Sequence, residues 1–304
     1  LPSDHTIGSI LKKAHSLGFA IPAFNIPYLP MVEPIVQAVT DQDSFSLVEV
    51  ARLEWVKFQA GGLIQVAEEF ARWAKPGHVR LHLDHVPVID EDGLWVDYLA
   101  IIQEAIQLGY ESVMVDGSRL PLDENIQAVQ QVVKLAHPYG IPVEAELGAV
   151  MGHENDPILS YEELFASGKG FTNPSEAHRF VQETGCDWLS VAIGNIHGAI
   201  AAGRKDLKKA EARLNLERLE LLNQAARVPL VLHGGSGIHQ DNLIASMKHG
   251  IAKINIATEI RQPFEVTLRE TGSVEKAQQA VYDRTSWILS EFLQVASIRK
   301  LIES

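Results

Sequence analysis

The chain has 304 residues, 46% of them hydrophobic, and a formal net charge of −13 at pH 7. That length suits two average domains or one α/β barrel, and the acidic surplus leaves no basic face for nucleic-acid phosphates. The single cysteine, Cys186, excludes a disulfide framework within the chain and is expected to pack in the core. No apolar run approaches the roughly 18 residues that span a bilayer, and residues 1–9 lack the basic flank and apolar core of a signal peptide. A globular, cytoplasmic protein with no membrane or nucleic-acid partner is expected. Small phosphorylated molecules remain open as ligands, since local dipoles and a few charges suffice to bind them.

Taken in order, eight short apolar runs read as strands: 19–25, 47–51, 79–84, 112–116, 143–147, 188–193, 229–233 and 252–256. Amphipathic segments of helical spacing fill the gaps at 31–41, 62–74, 95–108, 122–137, 174–183, 214–226 and 240–248. Strand and helix alternating eight times predicts a (β/α)8 TIM barrel; an open doubly wound sheet is the alternative. The expected organisation is a single barrel domain over 1–304, with 262–304 as a C-terminal helical extension. That extension is expected to pack on the barrel or on a neighbouring subunit.

Two other segments depart from short loops. Residues 148–172, rich in glycine, directly follow the fifth strand and are expected to form a lid; disorder is the alternative. Residues 204–220 are dense in charge and read as a solvated helix face, although Arg204 and Lys205 lie close enough to His197 to reach an anion.

The strands share a pattern at their ends. Asn25, Glu49, Asp84-His85, Asp116, Glu146, His233 and Asn255 lie at or near the ends of seven of them, and His197 follows the remaining one. In a barrel these positions ring the C-terminal mouth, where active sites sit. The adjacent carboxylate and imidazole of Asp84-His85 can divide labour, the imidazole holding a metal while the carboxylate moves a proton. His85, His197 and His233, from different strands, have the layout of a catalytic divalent site, with zinc favoured by the nitrogen ligands. Asp116 and Glu146 either hold a second position of the ion or orient the imidazoles. His82 is assigned to the core. After His233, the run Gly234-Gly235-Ser236-Gly237 precedes a helix, which suits a phosphate in the loops after strands seven and eight; a tight turn is the alternative.

Assembled, these residues make the chain resemble the class II, zinc-dependent ketose-bisphosphate aldolases, most closely the tagatose-bisphosphate branch. The matching motifs are PAFN (22–25), LHLDH (81–85), MVDGS (114–118), VEAELG (143–148), AIGNIHG (192–198), VLHGGSG (231–237) and KINIATE (253–259). The resemblance implies a lyase that reversibly cleaves a phosphorylated ketose to dihydroxyacetone phosphate and an aldehyde. It implies that His85, His197 and His233 bind zinc, and that Asp84 exchanges a proton with the C4 hydroxyl. Glu154 would exchange a proton at C3 of the dihydroxyacetone phosphate half. Asn25 and Asn255 would contact substrate, and Gly198, Gly234, Ser236 and Thr258 would surround the C1 phosphate. Asp116 and Glu146 match carboxylates that hold a displaced or second metal. A monovalent cation near the phosphate and association into a dimer or tetramer are also implied. Lys253 is the one lysine found on a strand, and metal-assisted chemistry requires no Schiff base.

The chain also departs from the family pattern. Ala257 stands where fructose-bisphosphate enzymes carry aspartate, which is the tagatose-branch choice. Ala51 replaces a serine after the second strand, and the stretch whose arginine reaches the far phosphate has no counterpart between Gly272 and Thr285. Glu49 and Arg52 are then the candidates for contacts at the aldehyde end. The C1 phosphate site is expected to survive and the C6 site to be lost. A metal-dependent sugar-phosphate epimerase or isomerase, and a non-catalytic sugar-phosphate sensor, are the competing functions.

Overall fold

The computed structural model describes residues 6–148, 161–195, 212–235 and 237–303. In chain order the elements begin α1 (Ile7–Leu17), β1 (Ile21–Asn25), α2 (Val32–Asp41), β2 (Ser46–Ala51), α3 (Arg52–Lys57), α4 (Leu63–Trp73) and β3 (Val79–Pro87). They continue with α5 (Tyr98–Gln107), β4 (Ser112–Asp116), α6 (Leu122–Ala136), β5 (Val143–Leu147), α7 (Tyr161–Ser167), α8 (Pro174–Thr184) and β6 (Trp188–Val191). The last are α9 (Leu216–Ala226), β7 (Leu230–Leu232), α10 (Gln240–Lys248), β8 (Ile251–Ile256), α11 (Thr258–Thr271), α12 (Val274–Trp287) and α13 (Arg299–Glu303). Each strand pairs in parallel with its neighbours, and β8 pairs with β1, closing an eight-stranded barrel. The fold is a (β/α)8 TIM barrel. Among the described residues no helix is long and apolar enough to cross a membrane.

Local chemistry explains the alternation. The strands are covered on both faces, as a parallel sheet under helices requires. The helices bury one stripe each and are capped by their own sequence. In α1, Ile7, Ile10, Leu11 and Ala14 face inward, the Thr6 side chain accepts the Ser9 N–H at 3.2 Å, and Gly18 ends the helix at φ 73°. In α8, Asn173 caps and Pro174 occupies the first turn.

The structure adds elements that the periodicity does not reveal. Helix α1 precedes the barrel, and α3 and α7 are short extra helices in the loops after β2 and β5. Helix α5 starts at Tyr98, later than the expected 95, because Trp95 bridges Ile89 and the Val96 N–H bonds to Val88 O. Helix α11 begins immediately after β8, so it is the eighth barrel helix and starts before the expected extension. The stretch 274–302 is three pieces rather than one helix: α12, a π-helical turn at Ile288–Phe292, and α13. The irregular backbone between them is tied to the loop before β2 by Ser44 Oγ donating to Val295 O at 2.7 Å and by Arg299 pairing with Asp43 at 2.6 Å.

Strand β3 carries an irregularity that matters for the site. Leu83 pairs with Val113, yet Val86 pairs with Val115, so β3 holds one extra residue. That is a β-bulge, and His85 sits in it at φ 27°. A left-handed backbone at an imidazole residue costs about 1–3 kcal/mol and is retained only where surrounding structure enforces it.

Candidate active site

Barrel interiors are usually filled by branched apolar side chains. This one is not. Alternate residues of a strand share a face, and here that alternation turns two polar tiers toward the axis. The deeper tier is Glu49, His82, Ser112, Glu144 and Lys253, all with no exposed surface. The tier nearer the mouth contains Asn25, Asp84, Glu146 and Asn255, together with Asp116 and His233 at the ends of β4 and β7.

Lys253 organises the deeper tier. Its Nζ lies 2.9 Å from Glu144 Oε2, 3.1 Å from Glu49 Oε2 and 3.9 Å from Asp84 Oδ1. Burial favours a neutral amine, but Glu144, Glu49 and Asp84 together outweigh it and hold Lys253 as a cation. Glu144 is held down at about 2 because Lys253 and His233 overcome the cost of its burial. Glu49 goes the other way: burial, then the Asp84 charge, raise it well above the ordinary value against the pull of Lys253. His82 donates to or accepts from Ser112 Oγ at 2.7 Å, and burial followed by the Lys253 charge pushes it down to about 3. It is a neutral core residue, as the sequence suggested.

Above Lys253, Asp84 is gripped by two carboxamides. Asn25 Nδ2 donates to Oδ2 at 3.0 Å, and Asn255 Nδ2 donates to Oδ1 at 2.9 Å. Burial opposes its charge, but His85, Lys253 and His233 lower its pKa far below the usual carboxylate range. The bulge turns His85 beside it: the His85 and His233 rings lie 4.4 Å apart, and His85 Nδ1 is 3.4 Å from Asp116 Oδ2. Despite burial, Asp84 raises His85 to about 9. His233 rises to about 10 against burial, through Glu144 and Glu146. Its Nε2 is 2.8 Å from Glu144 Oε1, and its Nδ1 faces Glu146 Oε2 at 3.1 Å.

This donor set fits a divalent ion. Ligand atoms of Asp84, His85 and His233 all lie within 4.8 Å of one another, as do those of His85, Asp116 and Glu146. The carboxylates that favour a proton on these imidazoles favour any cation in the same place. A carboxylate on the far ring nitrogen, as Glu144 provides for His233, is how proteins orient a metal-binding imidazole. The cluster of Glu49, His82 and Asp84 is equally tight, but Lys253 already supplies a positive charge there.

Among the expected site residues, Asn25, Asp84, His85, Asp116, Glu146, His233 and Asn255 converge at the mouth. His197, Gly198, Glu154 and Ser236 lie outside the described residues, as does the stretch 149–160 of the expected lid. Gly234 follows His233 at φ 66°, and Thr258 opens α11. Glu49, expected near the aldehyde end, is fully covered in the deeper tier, with its carboxylate on Lys253. Arg52 pairs with Asp90 at 3.6 Å.

Sequence reading missed several supporting groups. Glu144 was legible, since it stands two residues before Glu146 and must share its face. Asn195 holds His233 in place by donating from Nδ2 to its backbone carbonyl at 2.9 Å. Asn125 donates to Glu146 O at 3.0 Å and packs so closely on Gly117 that a Cβ there would sit 2.2 Å from Asn125 Oδ1. Glu54, in the first turn of α3, is 7% exposed and accepts the Ala51 N–H at 2.8 Å. Burial pushes it up to about 8. Nothing in its local sequence singles it out.

Fold and mouth together define a (β/α)8-barrel enzyme with its ionisable groups gathered at the C-terminal rim. A sequence profile of the family described as Fructose-bisphosphate aldolase class-II matches residues 5–302. The D-tagatose-1,6-bisphosphate aldolase subunit GatY of Klebsiella oxytoca is 34% identical over 262 residues, covering 86% of this chain and 84% of that protein. The solved structure of the YdjI aldolase from Escherichia coli K12 superposes with a TM-score of 0.74 at 28% identity, over 95% of this chain and 97% of that one. A putative fructose-1,6-biphosphate aldolase from Coccidioides immitis gives a TM-score of 0.74 at 26% identity, over 96% and 97%. The chain belongs to the class II fructose-bisphosphate aldolase family, and it is an aldehyde-lyase of carbohydrate metabolism.

Proposed function

We propose that this aldolase is zinc-dependent and reversibly cleaves a phosphorylated ketose to dihydroxyacetone phosphate and an aldehyde. The observation that carries the reading is Asp84, an ionised carboxylate held by Asn25 and Asn255 beside two imidazoles. His85, His197 and His233 would hold the ion, with Asp116 and Glu146 offering a second or displaced position. The bound ion supplies Lewis-acid polarisation of the ketone, worth several kcal/mol to the developing charge.

The protein's own groups manage the protons. Asp84 accepts the proton of the C4 hydroxyl as the C3–C4 bond breaks, so that C4 becomes the aldehyde carbon. Glu154 returns a proton to C3 of the dihydroxyacetone phosphate half, and the atoms balance. Asn255 orients the substrate oxygens, and Gly198, Gly234, Ser236 and Thr258 surround the C1 phosphate, with a monovalent cation nearby. Arg52 is assigned to the aldehyde end, and Glu49 lies beneath with its carboxylate on Lys253. Lys253 itself cannot serve as a Schiff-base nucleophile, being a covered cation between carboxylates. The chain works as a cytoplasmic homo-oligomer in this reading.

The test is retro-aldol turnover of metal-loaded protein on fructose and tagatose 1,6-bisphosphates and on their 1-phosphates, read by coupled detection of dihydroxyacetone phosphate. Preference for a 1-phosphate is expected, and EDTA should abolish activity. Turnover that survived complete metal removal would overturn the assignment of metal dependence. Strong preference for a bisphosphate would overturn the loss of the far phosphate site.

A further inference from the structure

Beyond His85 the chain folds back on itself in a tight hairpin at 88–96 that the reaction above does not use. The Val88 N–H bonds to Asp116 O at 2.9 Å, the Val96 N–H bonds to Val88 O at 3.0 Å, and Ile89 bridges Trp95. Asp90 sits inside this hairpin and is 6% exposed. Its two carboxylate oxygens do different things. Oδ1 closes the turn by accepting the Leu94 N–H at 2.9 Å and the Asp92 N–H at 3.1 Å. Oδ2 instead lies 3.6 Å from Arg52 Nη1. On the other side Arg119 Nη1 donates to Asp90 O at 2.7 Å, so residues following β2 and β4 both hold the hairpin.

Arg52 follows Ala51, the register partner of Asp84 across β2 and β3, so it stands one residue beyond the level of the proton-transfer carboxylate on the neighbouring strand. A lone guanidinium at that place would attract a terminal phosphate or carboxylate. Arg52 already has an anion of its own. The Leu94 N–H, then the Asp92 N–H and the Arg52 and Arg119 charges, hold Asp90 below the usual carboxylate range against its burial. An incoming anion would have to displace Asp90 from Arg52 or sit beside a second negative charge. We propose that Asp90 is a specificity-determining residue, whose Oδ2 occupies Arg52 so that the aldehyde side accepts an uncharged chain end and turns away an anionic one. The inference rests on the place at the aldehyde end given to Arg52 above, and it gives the loss of the far phosphate site a cause within this chain's own residues.

The decisive variant is Asp90→Asn. Its amide oxygen can still accept the Leu94 and Asp92 N–H groups, while its NH2 meets Arg52 donor against donor and releases it. The readout is the ratio of kcat/KM for a ketose 1,6-bisphosphate to that for the matching 1-phosphate. D90N should raise this ratio by roughly 10- to 100-fold, the share of one hydrogen bond to a charged group, with most of the gain in KM. Adding Arg52→Met to D90N should return the ratio to near the wild-type value, since neither charge is then present. Asp90→Ser, whose hydroxyl closes such turns more weakly, should show the same gain and stands in if D90N does not fold. An unchanged ratio in a folded variant, or a gain that survives in the double variant, would leave Asp90 a turn-closing residue and overturn the proposal. Calorimetric titration with the reduced hexitol 1,6-bisphosphate and hexitol 1-phosphate, which cannot be cleaved, reads the same ratio as affinities. If wild-type protein released no dihydroxyacetone phosphate from any ketose, the reading of the reaction would fall, and the affinity ratio would still decide the role of Asp90.

Discussion

Replacing Lys253 with methionine removes the ammonium group that lies among Glu49, Glu144 and Asp84 while keeping most of the side chain's volume. The nearest carboxylate oxygens lie 2.9 and 3.1 Å from Nζ, with no exposed surface on either glutamate or the lysine. Breaking a buried pair by deleting one partner costs about 3–5 kcal/mol, because the remaining charge is left without compensation. Unfolding entropy scales with chain length, so across 304 residues that loss corresponds to a Tm lowered by about 5–8 °C. The variant should also carry a distinct pH signature. In the wild type, Glu144 is held at about 2, below its ordinary 4.5. Its contribution is thus complete above about 4.5 and is lost as pH falls toward 2. Without Lys253 that depression is weakened, so the stability gap between the two proteins should narrow as pH falls from about 4.5 toward 2. Glu49 provides the control. Its pKa is already raised, so it favours the neutral form, and Glu49→Gln should move Tm by less than about 2 °C. Circular dichroism melts of the three proteins at neutral pH and from about pH 4.5 toward 2 make the comparison. A K253M melt within 2 °C of wild type at neutral pH, or a gap that widens on acidification, would refute the buried-cation account.

Three further outcomes are expected. Asp84→Asn should lower kcat by about 10²–10⁴-fold, the scale of a lost general base, while metal content by elemental analysis and the circular dichroism spectrum match wild type. Glu144→Gln should weaken metal binding by about 10–100-fold, because His233 loses the charged acceptor that orients its ring and raises its basicity; competition against a graded chelator measures this, and unchanged affinity would separate Glu144 from the metal. Cys186 is buried and burial pushes its thiol up to about 12. A thiol reagent at pH 8 should label no group in the native protein and one per chain in denaturant.

Much of the architecture was legible because parallel strands buried on both faces write themselves as continuous apolar runs. The rim was legible for a related reason: a strand that ends in Asp, His or Asn after such a run has few structural uses for it. What escaped was whatever depends on contacts between strands distant in sequence. Glu49 looked like a mouth residue because it lies near the end of its run, but β2 continues two residues further, and Glu49 falls a tier lower onto Lys253. Asn195 and Asn125 act on backbone carbonyls of other strands, which no local pattern encodes. Helix α1 has a clear apolar stripe and a threonine cap, yet it precedes the first strand and had no slot in a strand–helix count. The early start of α11 follows from Ala257, where β8 passes straight into helix with no intervening loop.

The bulge at His85 has a consequence for anyone who would build this pair elsewhere. In a regular strand, consecutive residues point to opposite faces, so an aspartate and a histidine in sequence cannot both look into a barrel. The one extra residue in β3 suspends that rule at a single step, at the cost of a left-handed imidazole residue. Copying Asp-His onto a straight strand of another barrel would therefore install only one of them at the mouth and send the other into the helical shell. The transferable unit is the misregistered strand with its β4 partner, not the two residues alone.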